Sequence, residues 1–458
     1  MEHDVSFREA LKVWTRIGLL SFGGPAGQIA LMHRMLVEER KWIGNDRFLH
    51  ALNYCHLLPG PEAQQLATYI GWLLHGTKGG LAAGLLFVIP GMLTILALTV
   101  LYAGFHQVTA VQAFFYGLKP AVLAIVIMAV FRIAGKALKT PYLMGLAGLA
   151  FIAMFFYQAP FPLVIVVSGL LGYLGMSFCP QYLGAACPQW ICGSSTVAET
   201  GSEDGIIDIL LAKDAEGRFT PTLRRSLKVL VTWGLIWLGP VLLLLFILGP
   251  EHVFTQIALF FSKMATVTFG GAYAVLAYMA QEAVAGYGWL QPGEMLDGLA
   301  LAETTPGPLI QVVQFVGFLA AYRDPGVLNP YVAGTLGALL TVWVTFAPCF
   351  LWIFLGAPYV EKLRNNRLMN GALSGITAAV VGVVLNLSLW FGINALFARI
   401  GAIHLFGATI PAPHWATADW FGLLLAGLSY LAMKYLKIGM ITVLAVCSCI
   451  GFLWKLIL

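Results

Sequence analysis

The 458-residue chain is 59% hydrophobic and only 10% charged, with a mean hydropathy of +0.84 and a formal net charge of +5. A soluble globular domain carries about 25% charged residues, so this composition excludes a water-soluble enzyme and marks an all-α polytopic membrane protein. Most Lys and Arg lie in short loops, where the positive charge sets topology rather than forming a nucleic-acid surface.

Taken in chain order, the first apolar stretch, 8–32, carries Arg8, Glu9, Lys12 and Arg16, so it reads as a retained segment rather than a cleaved signal peptide. It is cut by Phe22-Gly23-Gly24-Pro25, and the next, 48–75, is cut by Pro59-Gly60-Pro61. Uninterrupted apolar runs follow at about 81–105, 111–131, 141–157, 161–178 and 229–248. The stretches 255–280 and 295–322 are again cut, by Phe269-Gly270-Gly271 and Pro306-Gly307-Pro308. Further runs lie at about 331–356, 371–397, 418–433 and 438–457. Pieces of the cut stretches are only about 11 to 15 residues, or ~16–22 Å of helix, against a hydrocarbon core of about 30 Å. They predict half-helices.

The chain repeats itself. An offset of 247 places Phe22-Gly23-Gly24 on Phe269-Gly270-Gly271, Trp42 on Trp289, Pro59-Gly60-Pro61 on Pro306-Gly307-Pro308 and Gln64 on Gln311. Later the offset becomes 258, pairing Gly79 with Gly337, Pro90 with Pro348 and Gly117 with Gly375. The predicted organisation is a first repeat over 1–178, a polar cytoplasmic linker over 179–228, an additional transmembrane helix over 229–249 and a second repeat over 250–458. If each cut stretch is re-entrant and the N-terminus cytoplasmic, the basic loops 33–47, 132–140 and 361–367 all fall inside. Equivalent points of the halves are then separated by an odd number of crossings, which predicts inverted-topology repeats whose half-helices meet near mid-membrane, with the C-terminus periplasmic.

The breaks suit an anion. Pro61 and Pro308 each open a helix, as Gly24-Pro25 does, because a first-turn N–H has no intrahelical partner to lose. Exposed first-turn amides and the helix dipole then bind oxyanions. Residues 59–61 and 306–308, with Phe22, Gly23, Gly24, Gly270 and Gly271, are therefore candidate substrate contacts. Arg16 and its equivalent Lys263 are intramembrane cations, which either serve the site or snorkel to the interface. Gln64 and Gln311 offer amide donors or helix-to-helix hydrogen bonds. Ser21, Thr268 and Thr305 offer hydroxyls. His56, Glu62, Glu303 and Lys119 are candidate coupling groups, with ordinary helix-end roles as the alternative. The seven cysteines form no CxxC pair, and Cys187 and Cys192 lack companion histidines, so neither a metal nor a cofactor is expected.

Stretches FGGPAGQIALM and LLPGPEAQQLATYIGW, then TFGGAYAVLAYM and ETTPGPLIQVVQFVGF, resemble the two-domain bacterial chromate transporters of the chromate ion transporter (CHR) family along nearly the whole chain. The resemblance implies a secondary transporter that exports chromate across the bacterial cytoplasmic membrane and confers resistance. Sulfate, chromate's structural analogue, is a proposed competitor. Expected partners are thus chromate, sulfate, the lipid bilayer and a second copy of the chain as a homodimer, with no nucleic acid. The second half has FGGA where the first has FGGP, so no proline opens its helix. The sequence lacks GxSxG, HExxH and Walker P-loop patterns, so it is not read as an enzyme. A general sulfate or oxyanion exchanger and an anion channel remain the alternatives.

Overall fold

A computed structural model describes residues 5–178, 205–207, 222–269, 272–359, 367–405 and 407–457. Gly270, Gly271 and most of the 179–228 linker lie outside the described residues.

The first half begins with α1 (Phe7–Leu20), α2 (Gly24–His33), α3 (Asn45–Leu57) and α4 (Glu62–Phe105). It continues through α5 (Thr109–Ala137), α6 (Pro141–Phe155) and α7 (Phe161–Phe178). Then come α8 (Leu223–Leu248), α9 (Val253–Val267), α10 (Ala272–Gln281) and α11 (Pro292–Thr304). A 3-10 turn, Leu309–Gln311, leads into α12 (Val312–Arg323) and α13 (Pro330–Gly356). The chain ends in α14 (Arg367–Leu396), a hairpin of β1 (Ile400–Leu405) and β2 (Ala408–Pro413), α15 (Trp420–Tyr435) and α16 (Met440–Ile457). Among the described residues, six helices are long and apolar enough to cross a membrane. α8 begins at Leu223, inside the expected linker, and the hairpin was not foreseen.

Local sequence sets the ends. Ser6 accepts from Glu9 N–H at the start of α1, Asn329 from Tyr331 N–H at α13 and Asp419 from Gly422 N–H at α15. Pro141 and Pro330 occupy first turns. α4 is two helices in one run. His75 (φ −133°, ψ 25°) and Gly76 (φ 61°) break it, leaving 62–74 as a short helix that folds back on the long one.

Close backbone approach makes that hairpin tight. A Cβ on Gly71 would fall 2.5 Å from Gly79 O and 2.6 Å from the Ala83 Cβ. The second half repeats the device, where a Cβ on Gly337 would fall 2.5 Å from Gly317 O and 2.7 Å from the Ala321 Cβ. With little hydrophobic force between helices in lipid, such small-residue contacts carry the packing.

The chain forms two compact units. The first comprises 1–96, 189–272 and 305–366. In it α13 packs on α8, α9 and α12, and Trp233 stacks on Phe350 at 5.3 Å. Ile206 and Ile207 donate their amides to Lys41 O and Trp42 O, docking that piece of the linker beside α3. The second comprises 97–188, 273–304 and 367–458. In it α14 packs on α5, α6 and α7, and α5 also packs on α11, α15 and α16. The units cut across the sequence repeat, because the chain leaves the first unit at Ala272 and re-enters it at Thr305, just beside the second FGG and PGP breaks.

Exposed side chains are largely apolar. On α8 they include Leu230, Val231, Leu235, Leu242 and Phe246, the last 90% exposed. A water-soluble monomer seldom shows so large an apolar face; lipid covers it in a multi-pass membrane protein.

Candidate functional site

The first FGG break and both PGP breaks interrupt helices where the sequence places its Gly and Pro, and on either side of the second FGG α9 ends at Val267 and α10 starts at Ala272. Gly60 (φ 127°) and Gly307 (φ 100°) adopt left-handed backbone that a β-carbon would strain. Gly23 (φ 87°) and Gly24 (φ 67°) do the same between α1 and α2. α10 starts at Ala272 without a proline.

Each PGP turn is held by the opposite half of the chain. The Gly60 amide donates to Thr268 O at 2.8 Å, and the Gly307 amide donates to Ser21 O at 2.8 Å. A Cβ on Gly60 would fall 2.9 Å from Cys349 Sγ, and one on Gly307 would fall 3.3 Å from Gly91 Cα. Under the offsets 247 and 258, Ser21 corresponds to Thr268, Gly60 to Gly307 and Gly91 to Cys349. The contacts are therefore reciprocal, as a local pseudo-two-fold relation between repeats requires.

Around these turns, four helix starts close on one cavity. Its lining is Pro25 and Gln28 from α2, Pro61, Glu62 and Ala63 from α4, Ala272 from α10, and Pro308, Leu309 and Ile310 before α12. The cavity has a volume of about 10 Å³, room for about one water molecule. Helix geometry leaves first-turn amides without intrahelical partners. Each start also carries about half a unit of positive charge, so four together present on the order of two units.

Buried amides brace the turns. Gln28 Nε2 donates to Gly307 O at 2.5 Å, Gln65 Nε2 to Pro59 O at 2.7 Å and Gln311 Nε2 to Val88 O at 2.7 Å. Gln65 and Gln311 both lie against a PGP glycine, since a Cβ on Gly60 would meet Gln65 Nε2 at 2.7 Å and one on Gly307 would meet Gln311 Oε1 at 2.6 Å. The sequence offset pairs Gln311 with Gln64 instead. The 3-10 turn explains the difference: Gln311 N–H bonds back three residues to Pro308 O, whereas Gln65 N–H bonds back four to Pro61 O. Gln64 is buried one position away and donates to Thr68 Oγ1 at 3.1 Å.

The hydroxyls of Ser21 and Thr268 donate to Ile17 O and Met264 O within their own helices, so it is the main-chain carbonyls of these residues that join the turns. Phe22 is partly buried beside the break, and Thr305 and Pro306 enter the second turn, Thr305 being buried. Arg16 and Lys263 are exposed, on helix faces opposite the buried Trp14 and Ile17 of α1 and Phe261 and Met264 of α9, and neither lines the cavity.

His56 Nδ1 lies 3.0 Å from Glu62 Oε1, a contact that bridges the first PGP turn. The imidazole sits at the C-terminal end of α3 and the carboxylate at the N-terminal end of α4, where the helix dipole favours an acid. The other candidate groups gather in the second unit. Lys119 Nζ is 3.4 Å from Asp297 Oδ1, and Tyr102 OH donates to Asp297 Oδ2 at 3.0 Å. Tyr273 OH donates to Glu303 Oε1 at 2.8 Å, while Glu303 is 2% exposed. Sequence reading missed Asp297, although a lone acid within the apolar run MLDGLALA was a signal. It also missed Gln28, Gln65, Tyr102 and Tyr273, whose types are unremarkable in an apolar helix. Among the described residues, no cluster of three or more His, Cys, Asp or Glu could hold a metal ion.

A family model described as "Chromate transporter" matches twice, over residues 8–173 and 255–452. The chain is 28% identical over 381 residues to a chromate transport protein of Cupriavidus metallidurans, covering 83% of this chain and 81% of that one. It is 29% identical over 390 residues to a chromate transport protein of Pseudomonas aeruginosa, covering 83% and 80%. A probable chromate transport protein of Synechococcus elongatus is 28% identical over 379 residues, covering 83% of each chain. No solved structure matches significantly.

Proposed function

Because the chain belongs to the chromate transporter family, we propose that it is a secondary transporter exporting chromate across the bacterial cytoplasmic membrane, and so confers chromate resistance. The observation that carries the reading is the convergence of four helix N-termini on one cavity. Their combined charge, on the order of two units, suits a tetrahedral dianion, and the main-chain amides suit its oxygens. The substrate-binding set is the two FGG and two PGP breaks: Ser21, Phe22, Gly23 and Gly24 with Thr268, Gly270 and Gly271, and residues 59–61 with 305–308. Gln65 and Gln311 brace it, Gln64 stands one position away on the first turn of α4, and Arg16 and Lys263 attract the anion from exposed positions.

A cavity of about 10 Å³ does not hold an oxyanion. The described conformation is therefore a closed one, and loading requires the helix starts to separate. That is alternating access, with the half-helices re-entrant and the two repeats inverted in topology. Reciprocal gripping of Gly60 and Gly307 supports this reading, since a pseudo-two-fold pair of turns has two equivalent ways to open.

Labelled chromate flux into proteoliposomes of the purified full chain, with and without an imposed potential and pH gradient, tests the function. Saturable flux that sulfate inhibits weakly is expected. Equal handling of sulfate would make it a general oxyanion exchanger, and ohmic current without saturation would make it a channel.

A further inference from the structure

The cavity proposed to take a dianion has, among its described lining residues, one ionisable side chain, and it is a carboxylate. Glu62 opens α4, where an acid complements the same first-turn amides and dipole that would hold an oxyanion. Its side chain is 12% exposed and its Oε1 lies 3.0 Å from His56 Nδ1. Cys55, fully buried, lies within electrostatic range of it, while the other lining residues, from α2, α10 and the turn before α12, carry no titratable group. Leu309 stands at the equivalent place in the second half, so a helix-opening acid is not a requirement of the repeat.

We propose that Glu62 is a tethered anion: in the closed state its carboxylate stands in for the substrate at the helix starts, and substrate entry requires it to take a proton. This rests on the oxyanion reading of the cavity. A dianion and an ionised carboxylate at contact distance repel strongly in a low-dielectric site. The two therefore exclude each other unless Glu62 is neutralised by a proton drawn from solvent. By linkage, anion binding then raises the proton affinity of Glu62, and acid raises the affinity for the anion. His56 lies 3.0 Å from the carboxylate in the empty, closed cavity, and protonation of Glu62 is the gate that opens that cavity to the anion.

Two measurements on the full chain test this. In proteoliposomes, the apparent KM for chromate is compared across pH for wild type and Glu62→Gln; chromate's own protonation affects both proteins alike, so the difference belongs to the protein. The expected result is a KM at least fivefold lower in Glu62→Gln at alkaline pH, with wild type converging on it as pH falls. In weakly buffered detergent solution, sulfate, which stays dianionic across the range, is added to wild type with a pH indicator, and uptake of close to one proton per anion bound is expected. An unchanged or higher KM in Glu62→Gln, or sulfate binding by wild type with no proton uptake, overturns the gate and leaves the transporter reading intact. Wild type that neither moves chromate nor binds either anion overturns the transporter reading and the gate together.

Discussion

The amide of Gly60 donates to the carbonyl oxygen of Thr268 in the other repeat, and the amide of Gly307 donates in the same way to the carbonyl oxygen of Ser21. Each turn that opens a helix is thus positioned by the helix that ends in the other repeat. Neither half completes its own break.

Gly60→Ala and Gly307→Ala each place a β-carbon at positive φ, a strain of roughly 1–2 kcal/mol, and push it against Gln65 or Gln311. Chromate flux should fall at least tenfold in both, with a modest drop in the detergent melting temperature. Equal, near-normal flux in both variants would show that the exact path of the turns is unimportant.

Removing the brace distinguishes the two glutamines of the first turn. Gln65→Met deprives Pro59 O of its donor and should cost about 1–2 kcal/mol in thermal unfolding, as should Gln311→Met at Val88 O. Gln64→Met loses a bond to Thr68 alone and should cost less. The reverse order would restore the ungapped sequence pairing of Gln64 with Gln311.

Much of this was legible in the sequence because Gly and Pro at mid-segment have few structural uses. The FGG and PGP motifs located the breaks, and their spacing exposed the duplication. A one-residue slip was not legible, since a 3-10 turn in place of an α-turn changes which side chain reaches Gly307 without changing any residue type. The β1–β2 hairpin escaped notice because Ile400–Leu405 and Ala408–Pro413 are short and flanked by apolar helices that dominate any periodicity. Arg16 and Lys263 were singled out by charge at equivalent intramembrane positions of the two repeats, and sequence could not tell that both are exposed.

Those two cations still carry an expectation. Arg16→Ala and Lys263→Ala remove exposed side chains, so stability should change by less than about 0.5 kcal/mol. Membrane insertion should be normal while chromate transport is lost. Normal transport in both variants would sink their role in attracting the anion.

Asp297 and Lys119 form a part-buried charge pair in the second unit, with Asp297 5% exposed. Asp297→Asn or Lys119→Met alone should lower stability by about 2–3 kcal/mol, below the fully buried range because the Lys119 side chain is 28% exposed. The double variant should recover much of that loss, as measured by a thermal double-mutant cycle. Strict additivity would mean the two charges do not depend on each other.

The most direct measurement locates the anion itself. Crystals of the protein grown with chromate, measured at the chromium absorption edge, should give an anomalous peak among the starts of α2, α4, α10 and α12, bounded by Pro25, Pro61, Ala272 and Pro308. A chromium peak bound elsewhere in the molecule, with that cavity still closed, would contradict the site.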